Sequence, residues 1–268
     1  MISENVIGVG NTAHVISFKE NFVAKIFHAH IPQDAFTREL TISKKVLESG
    51  LPVPKVYGDQ NLDGRNAIIY ERIIGVPLTK LILENAWMAN KQMKTLAKLH
   101  AEIHSKTGLE LPAQKQSLIK KIKKAETLTA NEKKKIIHEL NILPKGNVLC
   151  HGDFHPDNVL ISNEGPYIID WIDATIGNQM ADVVRTMLIL RYGGFNQNIS
   201  PIQYKLQKIY RYYLSQSYMK AYHQLLPFAK ELIDKWMLPV AAARLTENIP
   251  ALEKKELHTL IQQRLAKI

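Results

Sequence analysis

Residues 149–171 read LCHGDFHPDNVLISNEGPYIIDW. Two short apolar runs, VLI at 159–161 and YII at 167–169, bracket a cluster of His151, Asp153, His155, Asp157, Asn158 and Asp170. A core strand has no use for such residues, and a plain surface loop does not need apolar brackets. The pattern reads as strand NVLC, a polar loop, then a hairpin turning at NEG, with Asp170 ending the strand PYIID. Pairing VLI with YII carries the loop and Asp170 to one edge of that hairpin, so two carboxylates and an amide converge on a small volume.

Oxygen donors of this kind suit Mg²⁺, a hard cation that prefers carboxylate, carbonyl, water and phosphate oxygens. Phosphoryl transfer from ATP needs such a set: an acid to orient and deprotonate a hydroxyl, with an amide and a carboxylate to hold metal on the phosphates.

The motif H-G-D-F-H-P-D-N at 151–158, followed by I-I-D-W at 168–171, resembles the signature of the aminoglycoside phosphotransferase and choline kinase family, whose fold is similar to that of protein kinases. The spacing H-x-D-x-x-x-x-N is met in full. The resemblance implies Asp153 as catalytic base, Asn158 and Asp170 as Mg²⁺ ligands, and His151 as a support of the loop rather than a proton carrier. It also implies ATP, or GTP, as phosphate donor.

The remaining parts of such an enzyme can be sought independently. G-V-G-N-T-A-H-V at 8–15 offers a backbone cover for phosphates through Gly8, Gly10, Asn11, Thr12 and Ala13, because glycine lets the main chain approach oxygens. Ala13 stands where G-x-G-x-x-G has its third glycine. Lys25 follows in F-V-A-K-I-F, on the same strand face as Val23 and Phe27. A lysine there is costly without an anionic partner, which a phosphate and the helix residue Glu39 can provide. The plain alternatives are a strand-edge amine in solvent and a surface acid. Glu71 and Ile73, in Y-E-R-I, fall where family members bind adenine through backbone groups. Asp182, in M-A-D-V-V-R, is implied to brace the catalytic loop; a first-turn helix charge is the alternative.

The wider sequence agrees. VIGVGNTAHVISF and FVAKIF read as strands joined at KEN. DAFTRELTISKKVLESGLP reads as a helix with Asp34 before it, Gly50 after it and Pro52 beyond. VPKVYGDQ and NAIIYERII add two strands around NLDG. From about residue 80 the pattern turns helical, with Met93, Leu96, Ala97, His100 and Ile103 on one face. The expectation is an α+β, two-lobed protein-kinase-like fold. Residues 1–72 form a β-rich nucleotide-binding lobe, and 73–268 a mostly helical catalytic and substrate-binding lobe, with ligands in the cleft.

A chain of 268 residues with 46% hydrophobic and 22% charged content fits an ordinary globular protein. The start, MISENVIGVG, does not read as a secretory signal, and no apolar run suggests a membrane span. One cysteine, Cys150, excludes an internal disulfide and fits the cytoplasm. The net charge of +10 invites a nucleic-acid partner, but the lysines of KKIKKAETLTANEKKKIIHEL (120–140) recur at helical spacing without aromatics, as on a solvated helix face.

Two other function classes fit part of the sequence. A metal-dependent hydrolase matches H-G-D-F-H alone but leaves Lys25 and the glycine hairpin unexplained. A catalytically silent nucleotide-binding scaffold of the same fold would be expected to lack Asp153, Asn158 or Asp170, and all three are present. As for the acceptor, residues 174–268 hold six acids against thirteen Lys and Arg, which disfavours a polycationic antibiotic. A sugar, an amino alcohol or another neutral hydroxyl compound is expected instead. The tyrosines of RYYLSQSYMKAYH serve either as stacking surfaces for it or as core.

Overall fold

The computed structural model describes residues 6–10, 12–194 and 200–268. Along the chain come β1 (Val6–Val9), β2 (Ala13–Phe18), β3 (Phe22–Phe27), α1 (Gln33–Glu48), β4 (Val56–Leu62), β5 (Arg65–Glu71), β6 (Gly75–Pro77) and α2 (Leu78–Glu84). Then follow α3 (Ala89–His104), α4 (Gln114–Lys124), α5 (Ala130–Ile142), β7 (Val148–Cys150), β8 (Val159–Ser162), β9 (Gly165–Ile168) and β10 (Thr175–Gly177). The last elements are α6 (Gln179–Tyr192), α7 (Pro201–Leu225), α8 (Lys230–Arg244) and α9 (Ala251–Leu265).

The chain divides into two compact units. One is Met1–Lys80 with Asp157–Asp173; the other is Leu81–Pro156 with Ala174–Ile268.

In the first unit an antiparallel sheet runs in the order β1-β2-β3-β5-β4. Side chains alternate between its faces, as the two-residue period of a strand requires. Ile16, Ala24, Ile26, Ala67 and Ile69 pack on one face. Ala13, Phe27 and Ile68 pack on the other, together with Phe36 of α1. Lys25 lies opposite Val15 and Ile68 in the ladders, so it shares the helix-covered face. A second sheet, β6-β8-β9, contains the hairpin read from VLI and YII. Its register pairs Val159 with Ile168 and Leu160 with Tyr167.

Three local expectations are corrected. The helix α1 starts at Gln33, ahead of Asp34, because Pro32 occupies the N-cap with extended backbone. Asp34 therefore acts as a first-turn charge rather than as a cap. The strand PYIID stops at Ile168, leaving Asp170 beyond it with φ +63°. The run VIGVGNTAHVISF is two strands, β1 and β2, paired with each other. The short strands β6 and β10 were not foreseen, because neither GVP nor TIG stands in a β-rich run of the kind that marks a strand.

In the second unit, α3 buries Met93, Leu96, Ala97, His100 and Ile103, the face read from the sequence. The helix α6 is buried along almost its whole length. The lysine-rich stretch forms two helices, α4 and α5. A reciprocal cap between Thr129 and Glu132 opens α5. Ile122, Ile136 and Leu140 face inward, while Lys120, Lys123, Lys124, Lys134 and Lys135 are exposed. No helix among the described residues is long and apolar enough to cross a membrane.

Candidate active site

The first unit gathers Lys25, Glu39 and Asp170. The Lys25 ammonium donates to Glu39 Oε1 at 2.5 Å and to Asp170 Oδ1 at 3.1 Å. Three elements meet here because β3 points Lys25 at the covered face, α1 turns Glu39 toward the same place, and the hairpin delivers Asp170. Burial works to lower the Lys25 pKa, but Asp170 and then Glu39 outweigh it, so the ammonium is held protonated with its pKa raised. Burial pushes the Glu39 pKa up, against Lys25. The second carboxylate oxygen of Glu39 is buried without a hydrogen-bond partner. Tyr70 stands beside this group, its hydroxyl 3.0 Å from Ser43 Oγ.

Asn158 and Asp170 flank the open end of the β8–β9 hairpin. The Ile169 amide donates to the Asn158 carbonyl at 3.0 Å, which pins the two residues to one end of the ladder. Asp170 adopts φ +63°, a left-handed conformation that aspartate tolerates better than most residues. Its side chain keeps 42% of its surface accessible. A half-exposed carboxylate and an amide at the open end of one hairpin offer hard oxygen donors, and that chemistry fits Mg²⁺.

The glycine segment closes on itself. Gly8 pairs with Val15, the Gly10 amide donates to the Ala13 carbonyl at 2.8 Å, and the His28 amide donates to the Thr12 carbonyl at 2.9 Å. Asn11 lies outside the described residues. Glu71 closes β5 and accepts the Lys55 amide on its carboxylate at 3.1 Å. Ile73 is half-buried in the segment between β5 and β6.

The second unit holds residues 151–154. Asp182, in the first turn of α6, accepts the His151 amide at 2.7 Å and the Gly152 amide at 2.9 Å. Gly152 takes φ +80°, the turn that aims both amides at one carboxylate. Asp182 Oδ2 also faces Nε2 of His100 at 3.0 Å and of His104 at 3.4 Å. The Nδ1 atoms of these rings lie 2.6 Å from the hydroxyls of Tyr218 and Tyr222. Burial, then the neighbouring His104, lowers the His100 pKa to about 3. The ring is therefore neutral: Nε2–H donates to the carboxylate, and Nδ1 accepts the tyrosine proton. Burial would raise the Asp182 pKa, but the histidine hydrogen bonds hold it well below the usual range. His100, His104 and Asp182 have metal-ligating side chains, yet their polar atoms already serve one another, the tyrosines and the loop amides.

His151 is fully buried, and its Nδ1 accepts the Asp153 amide at 3.2 Å. Phe154 is buried with its ring centroid 4.4 Å from that of His100. The Asp153 carboxylate accepts from Arg185 Nη2 at 2.8 Å and lies 3.6 Å from His155 Nε2. Burial opposes ionisation, but Arg185 and then His155 overcome it, so Asp153 is ionised far below the ordinary carboxylate range.

The structure thus brings Lys25, Glu39 and Asp170 together in one unit, and His151, Asp153 and Asp182 together in the other. Sequence reasoning missed Arg185, His104 and Glu247, and left Tyr218 and Tyr222 as either stacking surfaces or core, of which the structure shows core. A signal existed for two of them. His100 and His104 stand four apart on α3, and Arg185 stands three after Asp182 on α6, so each pair shares a helix face.

A family model described as the phosphotransferase enzyme family matches residues 3–209. No curated protein matches the sequence. Among solved structures, the chain is similar to a thermostable mutant of aminoglycoside phosphotransferase APH(4)-Ia in ternary complex with AMP-PNP and hygromycin B. The TM-score is 0.65 at 15% identity, covering 99% of this chain and 92% of that one. It is also similar to amicoumacin kinase hAmiN in complex with AMP-PNP and Ca²⁺, with TM-score 0.60, 13% identity and coverage of 98% and 88%. A choline/ethanolamine kinase family protein from Mesorhizobium loti gives TM-score 0.56 at 16% identity, covering 97% and 79%. The α+β, protein-kinase-like fold expected from the sequence is the fold these structures share with this chain.

Proposed function

The chain belongs to the phosphotransferase enzyme family, and we propose that it moves the γ-phosphate of ATP or GTP, with Mg²⁺, to a hydroxyl of a small molecule. The observation that carries this reading is the Lys25 cluster. A lysine held protonated between a helix glutamate and a half-exposed aspartate is suited to nucleotide phosphates and to a metal that shares them. Lys25 contacts the α- and β-phosphates, and Glu39 sets its direction. Asn158 and Asp170 supply the oxygen donors for Mg²⁺, which when bound neutralises charge on the transferring phosphate. The backbone around Gly8 and Gly10 covers the phosphate chain, and the segment at Glu71 and Ile73 meets the base. On this reading residues 1–72 serve the nucleotide and 73–268 the acceptor and the chemistry.

Asp153 orients the acceptor hydroxyl and takes its proton as the hydroxyl oxygen bonds to phosphorus and the nucleoside diphosphate leaves. Positioning and charge stabilisation carry most of such a reaction, so a weak but well-oriented base suffices.

The acceptor is a neutral hydroxyl compound, a sugar or amino alcohol rather than a polycation. Of the six acids in 174–268, Asp182 is buried among histidines and amides, and Asp234 pairs with Arg264. Glu247 pairs with Arg185 and Arg244, Glu253 with Arg244, and Glu256 with Lys208. Little negative charge remains there to recognise several ammonium groups at once. Of the tyrosines in 211–223, Tyr218 and Tyr222 are core, whereas Tyr212 and Tyr213 keep nearly half their surface and are the ones able to stack on a ring. The lone buried thiol, Cys150, suits the reducing cytoplasm.

The test is transfer of labelled phosphate from ATP to a panel of sugars, amino alcohols and antibiotics. Asp153→Asn should abolish transfer while sparing nucleotide affinity. Full turnover by that variant would remove Asp153 from the chemistry, and labelling confined to aminoglycosides would overturn the acceptor class.

A further inference from the structure

One face of α6 carries Asp182, Arg185 and Thr186, spaced three and four residues apart. Each reaches the loop at 151–154. Asp182 takes the amides of His151 and Gly152. The Thr186 hydroxyl donates to the Phe154 carbonyl at 2.7 Å. Arg185 Nη2 donates to Asp153 Oδ1 at 2.8 Å. Two of these grips act on backbone and would hold the loop whatever its side chains. Arg185 alone grips a side chain, and it is the one to which the proposed function gives the chemistry.

The guanidinium is itself aimed from behind. Its Nη1 donates to Glu247 Oε1 at 2.6 Å, and Glu247 Oε2 accepts from Arg244 Nη1 at 2.8 Å. Arg244 Nη2 in turn lies 2.6 Å from Glu253 Oε1, and Lys121 of α4 stands 3.5 Å from Glu247. Glu247 belongs to the connection between α8 and α9. An alternating row of charges therefore runs from that connection through α6 to the loop. Planar, forked donors of this kind fix direction as well as charge.

We propose that Arg185 is a positioning residue, which locks the Asp153 carboxylate in one rotamer by gripping Oδ1, while Oδ2 faces His155 Nε2 at 3.6 Å. The proposal rests on the catalytic reading of Asp153. The groups seen facing that carboxylate include Arg185 from α6 and His151 and His155 from its own loop. Arg185 is the only permanent cation among them, so it dominates the depression of the Asp153 pKa.

Two measurements on the 268-residue chain test it. In the first, the Asp153 carboxyl is followed by ¹³C resonance in aspartate-labelled protein, assigned by its loss in Asp153→Asn. In the wild type it should stay ionised for as long as the fold survives acid. In Arg185→Gln its titration should rise to about 3.9 or above, the ordinary carboxylate value, with Arg185→Lys between. An unchanged titration in Arg185→Gln overturns the proposal. In the second, Mg-ATP turnover is measured with water as acceptor. Arg185→Gln should lower kcat by about 10–100-fold with KM for ATP within about two-fold, since Arg185 belongs to the acceptor side. Arg185→Lys should restore part of the loss. Equal losses in the two variants, tracking a fallen melting temperature, would make Arg185 structural only and overturn the proposal.

Should Arg185→Gln fail to fold, Arg185→Lys carries the test, since its shorter unforked donor loosens the grip on Asp153 and its titration should still rise above that of the wild type; no shift there counts against the proposal. The base assignment fails separately. Turnover by Asp153→Asn removes it, while the titration still reports whether Arg185 holds the carboxylate.

Discussion

Around Lys25, one ammonium and two carboxyl groups, from β3, α1 and the β8–β9 hairpin, meet with few other partners. One carboxylate is half-exposed, and another has a buried oxygen without a hydrogen bond. Around residues 151–154 the polar atoms are buried and heavily engaged: Asp182 alone serves two amides and two imidazoles. The first arrangement holds charge with room for more, as the proposed exchange of partners with an anionic ligand and a cation requires. The second spends its hydrogen bonds on fixing a backbone. A phosphotransferase needs both, because phosphates and metal come and go whereas the group that meets the acceptor must already be in place.

The sharpest way to break this contrast is to remove the hub. Asp182→Ala would leave the His151 and Gly152 amides unpaired in the interior and strip both histidines of their acceptor. Deleting one partner of a buried ionic network costs about 3–5 kcal/mol, so a loss of unfolding free energy of that size, read from urea denaturation, is expected. A cost below about 1 kcal/mol would show the loop to be held by packing of Phe154 instead.

Acid sharpens the contrast without mutation. His100 titrates near 3 in the folded protein against 6.5 when unperturbed. Below about pH 6.5 the unfolded chain binds a proton there that the folded chain refuses, so stability falls as pH drops toward 3. By pH 5 that amounts to about 2 kcal/mol. Asp182 acts in the same direction, but only once pH falls below the unfolded carboxylate value. In the first unit the sign is reversed and the window lies elsewhere. The raised Lys25 pKa contributes stability that is complete below about 10.5 and is lost only in strong alkali. A melting temperature that stays flat from pH 7 to pH 5 would contradict a neutral, buried His100.

How far the two regions could be read from sequence follows the same division. Asp153, Asn158 and Asp170 announced themselves because acids and amides between strand-like runs have few structural reasons to be there. Lys25 and Glu39 were legible once alternation put the lysine on a covered face. Arg185 and Glu247 were not. An arginine on a buried helix and a glutamate in a connection between helices look like surface charges until tertiary packing shows that each has the other as partner. His104, and the partners that the tyrosines of α7 find, were invisible for a related reason. Tyr218 and Tyr222 meet α3 more than a hundred residues away in sequence, and spacing within one helix says nothing of that. The start of α1 was misplaced because a proline can occupy a cap without a side-chain oxygen, a possibility that cap statistics rank low.

The smallest expected effect on stability is also the one that isolates the first unit. Lys25→Met removes a half-buried cation and leaves Glu39 with its desolvation unrelieved. Burial already pushes the Glu39 pKa up, so without the lysine the carboxyl should take up a proton and sit neutral beside Tyr70. The usual penalty of an orphaned buried charge is thereby largely avoided. A loss of about 1 kcal/mol is expected, in contrast to the hub variant, and Lys25→Met/Glu39→Gln should be no worse than the single change. Mg-ATP affinity measured by calorimetry should nevertheless fall by at least about ten-fold, because the deleted ammonium is the one assigned to the phosphates. A variant that unfolds yet would have bound nucleotide normally is excluded by measuring both quantities on the same sample. If Lys25→Met destabilises the chain as much as Asp182→Ala does, the first unit's cluster is a pillar of the fold, and the distinction between a receptive half and a rigid half disappears.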